Sequence, residues 1–361
     1  MSERILVVMP NWFGETLFAT PMLRALRSAR PHAFIAALGV PRAAEILKGN
    51  PCLDLFLPFE TAGFGLRMLS RLRRLRCGVA LILRRSLTRT ALLRAAGIPR
   101  RIGFTNRKSG WLLTDGVRPS DGSLHKAQTY VALLAPLGIP PDGAARPYEY
   151  HPTQEERSDA AVIFGAHGVA RDQPIAILHP GANWFHKRWP AERFAQVADQ
   201  LARVKRCRIV LTGSPEDRPL AQVIEQGMTA QPVNLAGLTT VRQLAACLEL
   251  ADVVVSNDTG VLHLACALGR SVVALYGPTS PVITGPLGDP SRTVVIHRDG
   301  CCPSIPCFNP DHPGFAGMSA ISVEEVFRAV TDLLGNAECG VRNAESKPSI
   351  PNSEFRIPNS T

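Results

Sequence analysis

Apolar residues fall in short runs along the chain, and each run is followed by a stretch with apolar positions at helical spacing. Residues 4–9 (RILVVM) predict a strand and residues 16–29 (TLFATPMLRALRSA) a helix. The alternation continues with strand 33–38, helix 41–48, strand 53–57, helix 64–76, strand 78–83 and helix 87–96. Strands alternating with helices imply a parallel sheet built from βα units. A helix at 125–137 precedes Gly138-Ile139-Pro140-Pro141-Asp142-Gly143, which breaks regular structure and predicts a domain boundary within 140–155. Beyond it the pattern restarts with strand 175–178, helix 191–204, strand 208–212, helices 216–227 and 240–250, strand 252–255, helix 260–268 and strand 271–275. A last amphipathic helix is predicted at 322–334, and the polar, aperiodic residues 336–361 are expected to be a disordered tail. The expectation is an α/β chain of two doubly wound domains, 1–150 and 151–335, with a cleft between them. Ligands of such folds lie at the carboxyl ends of the strands, so the loops after strands are where chemistry is sought.

A length of 361 residues suits two domains, and 45% hydrophobic with 19% charged residues is a globular composition. No apolar run approaches the ~18 residues of a membrane span. The apolar run at 5–9 is too short for a secretory signal, so a cytoplasmic location is expected. The nine cysteines are scattered without a C-x-x-C pair, and most are expected to be reduced and buried. Charge changes the picture more. Residues 1–160 hold 23 Lys/Arg against 12 Asp/Glu, while residues 161–361 hold 17 against 18. The basic first half is expected to face something anionic: nucleic acid, a membrane surface or a phosphorylated substrate. The bland alternative is an arginine-rich composition without a partner.

Neither G-x-G-x-x-G after a strand nor G-x-x-x-x-G-K-[ST] occurs, which argues against dinucleotide oxidoreductases and P-loop enzymes. Loops at strand ends instead hold polar groups suited to a nucleotide diphosphate. In Pro10-Asn11-Trp12-Phe13-Gly14-Glu15-Thr16, Gly14 allows close approach of backbone to a ligand, and Glu15 is a candidate general base. Glu15 equally suits the dipole of a helix start. In the loop from His179 to Pro190, Lys187 and Arg188 could neutralise a diphosphate leaving group, or sit in solvent. In Thr212-Gly213-Ser214-Pro215-Glu216-Asp217, Glu216 could accept from a ribose diol, with helix capping by Ser214 or Glu216 as the alternative. In Ser256-Asn257-Asp258-Thr259-Gly260, Asp258 and Thr259 can cap a helix whose amides at Thr259 and Gly260 suit an anion. His263 would share a helix face with Thr259, as a ligand contact or a core histidine.

In this order the loops resemble the bacterial ADP-heptose:lipopolysaccharide heptosyltransferases of glycosyltransferase family 9, over residues 4–335, and most of all the heptosyltransferase II type. The residues that carry the likeness are Asn11-Trp12-Phe13-Gly14-Glu15 with Ala19-Thr20-Pro21, His179-Pro180-Gly181-Ala182 with Lys187-Arg188-Trp189-Pro190, and Ser256-Asn257-Asp258-Thr259-Gly260 with His263-Leu264-Ala265. The resemblance implies a GT-B fold with an acceptor-binding first domain, a nucleotide-sugar-binding second domain, and the last helix near their junction. It implies an inverting, metal-independent transfer of heptose from ADP-heptose to the lipopolysaccharide inner core, with no cofactor. Glu15 would be the base, in a position where the family often carries Asp. Lys187 would contact the diphosphate and Glu216 the ribose, while Gly14, Thr16, Arg188, Asp258, Thr259, Gly260 and His263 would hold the substrates. Cys301, Cys302 and Cys307 resemble a cysteine-bearing loop of the subtype, and with His312 they would be the one candidate zinc set.

An anionic acceptor at the inner membrane surface accounts for the basic first half. Arg67, Arg71, Arg73, Arg74, Arg76, Arg84 and Arg85 are the candidates for that contact. One rival is a related transferase with another sugar nucleotide or acceptor. Another is a non-catalytic nucleic-acid-binding α/β protein, against which stands the lack of stacking aromatics in the basic stretch 66–76.

Overall fold

The computed structural model describes residues 3–59, 65–141, 147–298 and 316–341. Strands β1 (Arg4–Val8), β2 (Phe34–Gly39), β3 (Leu55–Pro58), β4 (Val79–Ile82), β5 (Arg100–Phe104) and β6 (Asp115–Val117) form one parallel sheet in the order β3-β2-β1-β4-β5-β6. Strands β7 (Ile175–His179), β8 (Arg208–Leu211), β9 (Val233–Asn234), β10 (Val253–Asn257), β11 (Ser271–Tyr276) and β12 (Thr293–His297) form a second, in the order β12-β11-β10-β7-β8-β9. Both are doubly wound, and the strand order reverses between β1 and β4 in the first and between β7 and β10 in the second. Central strands such as β1 and β10 are buried on both faces, which is why apolar runs, residues 5–8 and 253–255, dominate them.

The predicted helix 16–29 is two helices, Phe13–Phe18 and Thr20–Ala29. Pro21 has no amide to offer the Leu17 carbonyl, and the Thr20 hydroxyl donates to that carbonyl instead, at 2.8 Å. The predicted helix 125–137 is α-helical only over Lys126–Val131 and continues as a 3₁₀ turn, Ala132–Leu137, around Pro136. The basic helix spans Leu66–Leu75. Helix Gln154–Ala166, opened by a Thr153/Glu156 capping box, was not predicted. Helix Val323–Val341 outruns its predicted end at 334 and enters the segment expected to be disordered. It packs against helix Ala191–Lys205 and strands β10 and β11 on the outer face of the second sheet, where Val326 and Val330 share a core with Trp189 and Phe194. That placement corrects the expected position near the domain junction. The tail from 342 on, and Cys301, Cys302, Cys307 and His312, lie outside the described residues. Cys52, Cys77, Cys207, Cys247 and Cys266 are free and buried.

The two halves are not separate bodies. One hydrophobic cluster runs from Ile5 and Val7 of the first sheet to Val254 and Val272 of the second. Helix Phe13–Phe18 packs directly on helix Gly260–Ala267. Beside them the rings of Phe18, His125, Tyr148 and His263 form an aromatic box, with Phe18 and His263 centroids 4.6 Å apart and Tyr148 and His263 5.6 Å apart. The Tyr148 hydroxyl and His125 Nε2 both donate to the Gly285 carbonyl, at 2.9 and 3.0 Å. His125 Nδ1 accepts from the Ala127 amide, which assigns the proton to Nε2. On the other flank buried Arg242 pairs with Glu156, 2.6 Å between Nη2 and Oε2, and donates to the carbonyls of Glu45 and His151.

Candidate active site

The crevices outside the carboxyl ends of the strands, at the two points of reversal, are where doubly wound folds bind ligands. In the first half these points carry the loop after β1 with Glu15 and the loop after β4 with Arg84 and Arg85. Glu15 sits in the first turn of helix Phe13–Phe18 and forms an ion pair with Lys126, the first residue of its own helix. Glu15, Arg84, Arg85 and Lys126 line one cavity of about 390 Å³, together with Tyr130 and Ile283. Ile283 comes from the second half, so the cavity spans both. Beneath it the buried Arg89 donates to the Met9 carbonyl at 3.1 Å and to Asn11 Oδ1 at 2.7 Å, fixing the turn that delivers Glu15. Burial and the nearby Arg84 charge pull the Arg89 guanidinium down to about 10.

In the second half the loops after β7, β8 and β10 are tied to one another. Asn257 donates to the Pro180 carbonyl at 2.8 Å and accepts from the Trp189 amide at 3.2 Å. Lys187 Nζ lies 2.6 Å from Asp258 Oδ2, and the same oxygen accepts from the Thr279 hydroxyl at 2.7 Å. Burial pushes the Asp258 carboxyl upward, but His263 and Lys187 together outweigh it and hold the group ionised, well below the usual carboxylate range. His263 Nε2 is 3.8 Å from Asp258 Oδ1, and burial keeps the imidazole neutral. Among the described residues no cluster of three His, Cys, Asp or Glu side chains could hold a metal.

Several expected ligand contacts are occupied by the protein itself. Gly14 is needed for close packing between the halves: a Cβ there would lie 3.2 Å from the His263 ring and 3.4 Å from Gly260 Cα. A Cβ on Gly260 would lie 1.9 Å from Phe13 Cδ1. Thr16 is buried and its hydroxyl donates to the Trp12 carbonyl, so it belongs to the helix start rather than to a ligand surface. His263 is only 3% exposed, enclosed in the aromatic box. Arg188 is taken by the Ala182 carbonyl, at 3.0 and 2.8 Å, and by Asp217 at 3.4 Å. The cap before helix Arg218–Gln226 is formed by Ser214 and Asp217, leaving Glu216 exposed at the strand edge. Thr259 occupies the N-cap position of helix Gly260–Ala267 without a side-chain cap; its hydroxyl pairs with Ser256 at 3.2 Å. Lys126, Thr279, Asp217 and Arg89 were not anticipated. Lys126, Thr279 and Arg89 meet their partners through fold-level contacts that no local motif announces, whereas Asp217 also closes the local capping box with Ser214.

The family described as "Glycosyltransferase family 9 (heptosyltransferase)" matches residues 66–309. The chain belongs to glycosyltransferase family 9. It is 28% identical to lipopolysaccharide heptosyltransferase 2 of Salmonella typhimurium over 305 residues, covering 81% of this chain and 87% of the relative. The crystal structure of a family 9 glycosyltransferase from Veillonella parvula superposes with a TM-score of 0.80 at 25% identity, covering 92% of this chain and 97% of that one. The Escherichia coli ADP-heptose LPS heptosyltransferase II structure gives 0.78 at 26% identity, covering 93% and 99%. The two-sheet architecture is therefore that of the family 9 heptosyltransferases, GT-B, as the sequence implied.

Proposed function

We propose that this enzyme moves heptose from ADP-heptose to a hydroxyl of the lipopolysaccharide inner core, with inversion and without a metal; its likeness to proteins named lipopolysaccharide heptosyltransferase 2 and ADP-heptose LPS heptosyltransferase II supports the donor and the lipopolysaccharide acceptor. The observation that carries the reading is the pairing of a glutamate in a basic cavity wall at one point of strand reversal with a lysine-aspartate pair at the other. The Glu15 carboxylate takes the proton of the acceptor hydroxyl while that oxygen bonds to the anomeric carbon. The bond from that carbon to the diphosphate breaks, and its electron pair leaves with ADP. Lys187, held by Asp258, and the amides opening helix Gly260–Ala267 supply the positive field that the departing diphosphate needs. The first half would bind the acceptor and the second the donor, with Glu216 on the ribose.

Peripheral contact with an anionic membrane surface follows from the charge of the acceptor half. Between Glu60 and Asp115 the chain holds thirteen Lys/Arg and no Asp or Glu. Leu66 and Leu87, 84% and 49% exposed, open helices Leu66–Leu75 and Leu87–Ala95 at the carboxyl edge of the sheet, the edge that holds the cavity. Among the described residues no helix is long and apolar enough to cross a membrane.

The test is ADP release from ADP-heptose with and without a heptose-bearing inner-core acceptor, in EDTA. Acceptor-dependent release should survive chelation and fall ~10²–10⁴-fold in Glu15→Gln, the scale of a lost general base. Release that does not require the acceptor, or a Glu15→Gln enzyme as fast as wild type, overturns the reading.

A further inference from the structure

The acceptor-side cavity has an unusual charge balance. Its lining holds three cations, Arg84, Arg85 and Lys126, and a single acid, Glu15. Among the described residues neither Arg84 nor Arg85 has an acidic partner, and both are exposed. Lys126 is committed to Glu15, the group proposed to accept the acceptor's proton. The Glu15 Oε1 lone pair that receives the Lys126 N–H is not open to a hydroxyl proton while that bond lasts.

Resting on the proposed transfer reaction, we infer that Lys126 is a sensor of acceptor charge: it ties up Glu15 in the empty cavity and is drawn away by an oxyanion of the acceptor, a phosphate or a carboxylate, bound with Arg84 and Arg85. Lys126 is suited to this exchange. Its flexible stem starts at a helix end, its side chain is 35% exposed, and its three donors can pass from one oxyanion to another without rebuilding the wall. Arg84 and Arg85, exposed on the loop after β4 in the same lining, supply the standing positive field that attracts the incoming anion. The arrangement links two events that a transferase must link. Water, which carries no charge, leaves the Lys126–Glu15 pair closed, so ADP-heptose is protected from hydrolysis. An anionic acceptor opens the pair and brings its own hydroxyl at the same moment.

The experiment compares wild type, Lys126→Met and Lys126→Arg in two reactions: transfer to the inner-core acceptor, and acceptor-free ADP release from ADP-heptose. In Lys126→Met the acceptor KM should rise about tenfold or more, the scale of one charge-assisted hydrogen bond, and acceptor-free release should rise several-fold. ADP affinity and melting temperature should stay unchanged, showing that the donor half is intact, and Lys126→Arg should recover most of the acceptor KM. Two further acceptors, one dephosphorylated and one with its carboxylates reduced, identify the oxyanion: the relevant one loses more affinity for wild type than for Lys126→Met, which keeps Arg84 and Arg85. The proposal is overturned if acceptor-free release does not rise, if kcat alone falls with KM unchanged, or if neither altered acceptor distinguishes the two enzymes. Absence of transfer by wild type would refute the reaction itself, whereas transfer that is indifferent to Lys126 refutes only the sensor.

Discussion

The contact between Gly260 and Phe13 makes a quantitative test of how the two halves are joined. In Gly260→Ala the new methyl would lie 1.9 Å from Phe13 Cδ1 and 2.9 Å from Cγ. Ordinary contact begins at 3.4 Å, so the ring must retreat by about 1.5 Å into a packed interface. Overpacking of this kind costs about 1–3 kcal/mol of stability. Phe13 lies two residues before Glu15 in the same helical turn, so the retreat moves the proposed base as well. A displacement near 1 Å at a reacting group costs about 10²-fold in rate. Gly14→Ala makes a milder demand, with nearest atoms at 3.2 and 3.4 Å. The expected order of damage, in melting temperature and in kcat/KM for transfer, is Gly260→Ala greater than Gly14→Ala. Trimming the ring in the double variant Gly260→Ala/Phe13→Ala should return part of the stability lost by Gly260→Ala. A Gly260→Ala enzyme that melts and turns over like wild type would refute the reasoning, as would a double variant in which the two losses simply add.

Two further outcomes follow from buried charge and from surface charge. Burial holds His125 at about 4, below its ordinary 6.5, so the neutral ring stabilises the fold fully above pH 6.5 and that contribution, about 3 kcal/mol, is lost as the pH falls toward 4. Arg242 holds Glu156 at about 2, first through its hydrogen bonds, so this contribution is present above pH 4.5 and disappears only between 4.5 and 2. Melting temperature should therefore begin to drop near pH 6.5 and less steeply in His125→Phe, with His179, also at about 4, and His263, likewise lowered by burial, adding to the remainder; a flat profile from pH 6.5 to 5 would contradict this. At the surface, binding to vesicles containing anionic lipid should weaken with salt and fall several-fold in Arg71→Glu/Arg74→Glu. Equal binding to neutral and anionic vesicles would remove the electrostatic contact.

The sequence was most readable where burial was complete. Strands β1, β2, β4, β7, β10 and β11 are buried along nearly their whole length and mostly apolar, because helices cover both of their faces. Strands β6, β9 and β12 lie at or next to sheet edges, and β5 begins with two arginines; their patterns are short or polar, and pairing with a neighbour makes them strands. Helix Gln154–Ala166 carried a readable Thr-x-x-Glu start that its weak periodicity obscured. At the site, Glu15, Lys187 and Asp258 were legible because their loops follow strands. The Lys126 partner of Glu15 is 111 residues away in sequence and the Thr279 partner of Asp258 is 21 away, so only the folded chain brings them together. Glycines 14 and 260 looked like ligand approaches, yet the close approach they permit is between helices of the two halves.

The aromatic box has a consequence for recombining acceptor specificities among relatives. Phe18, His125 and Tyr148 come from the first half, His263 and Gly285 from the second, and the rings meet mostly edge to face and share one carbonyl. A chimera cut within 140–155 would pair one parent's wall with another's and leave a hydroxyl or an imidazole facing an apolar neighbour. Transplanting a first half between family members should succeed only when this small group of residues, with the glycine seam beside it, travels as a single inherited unit.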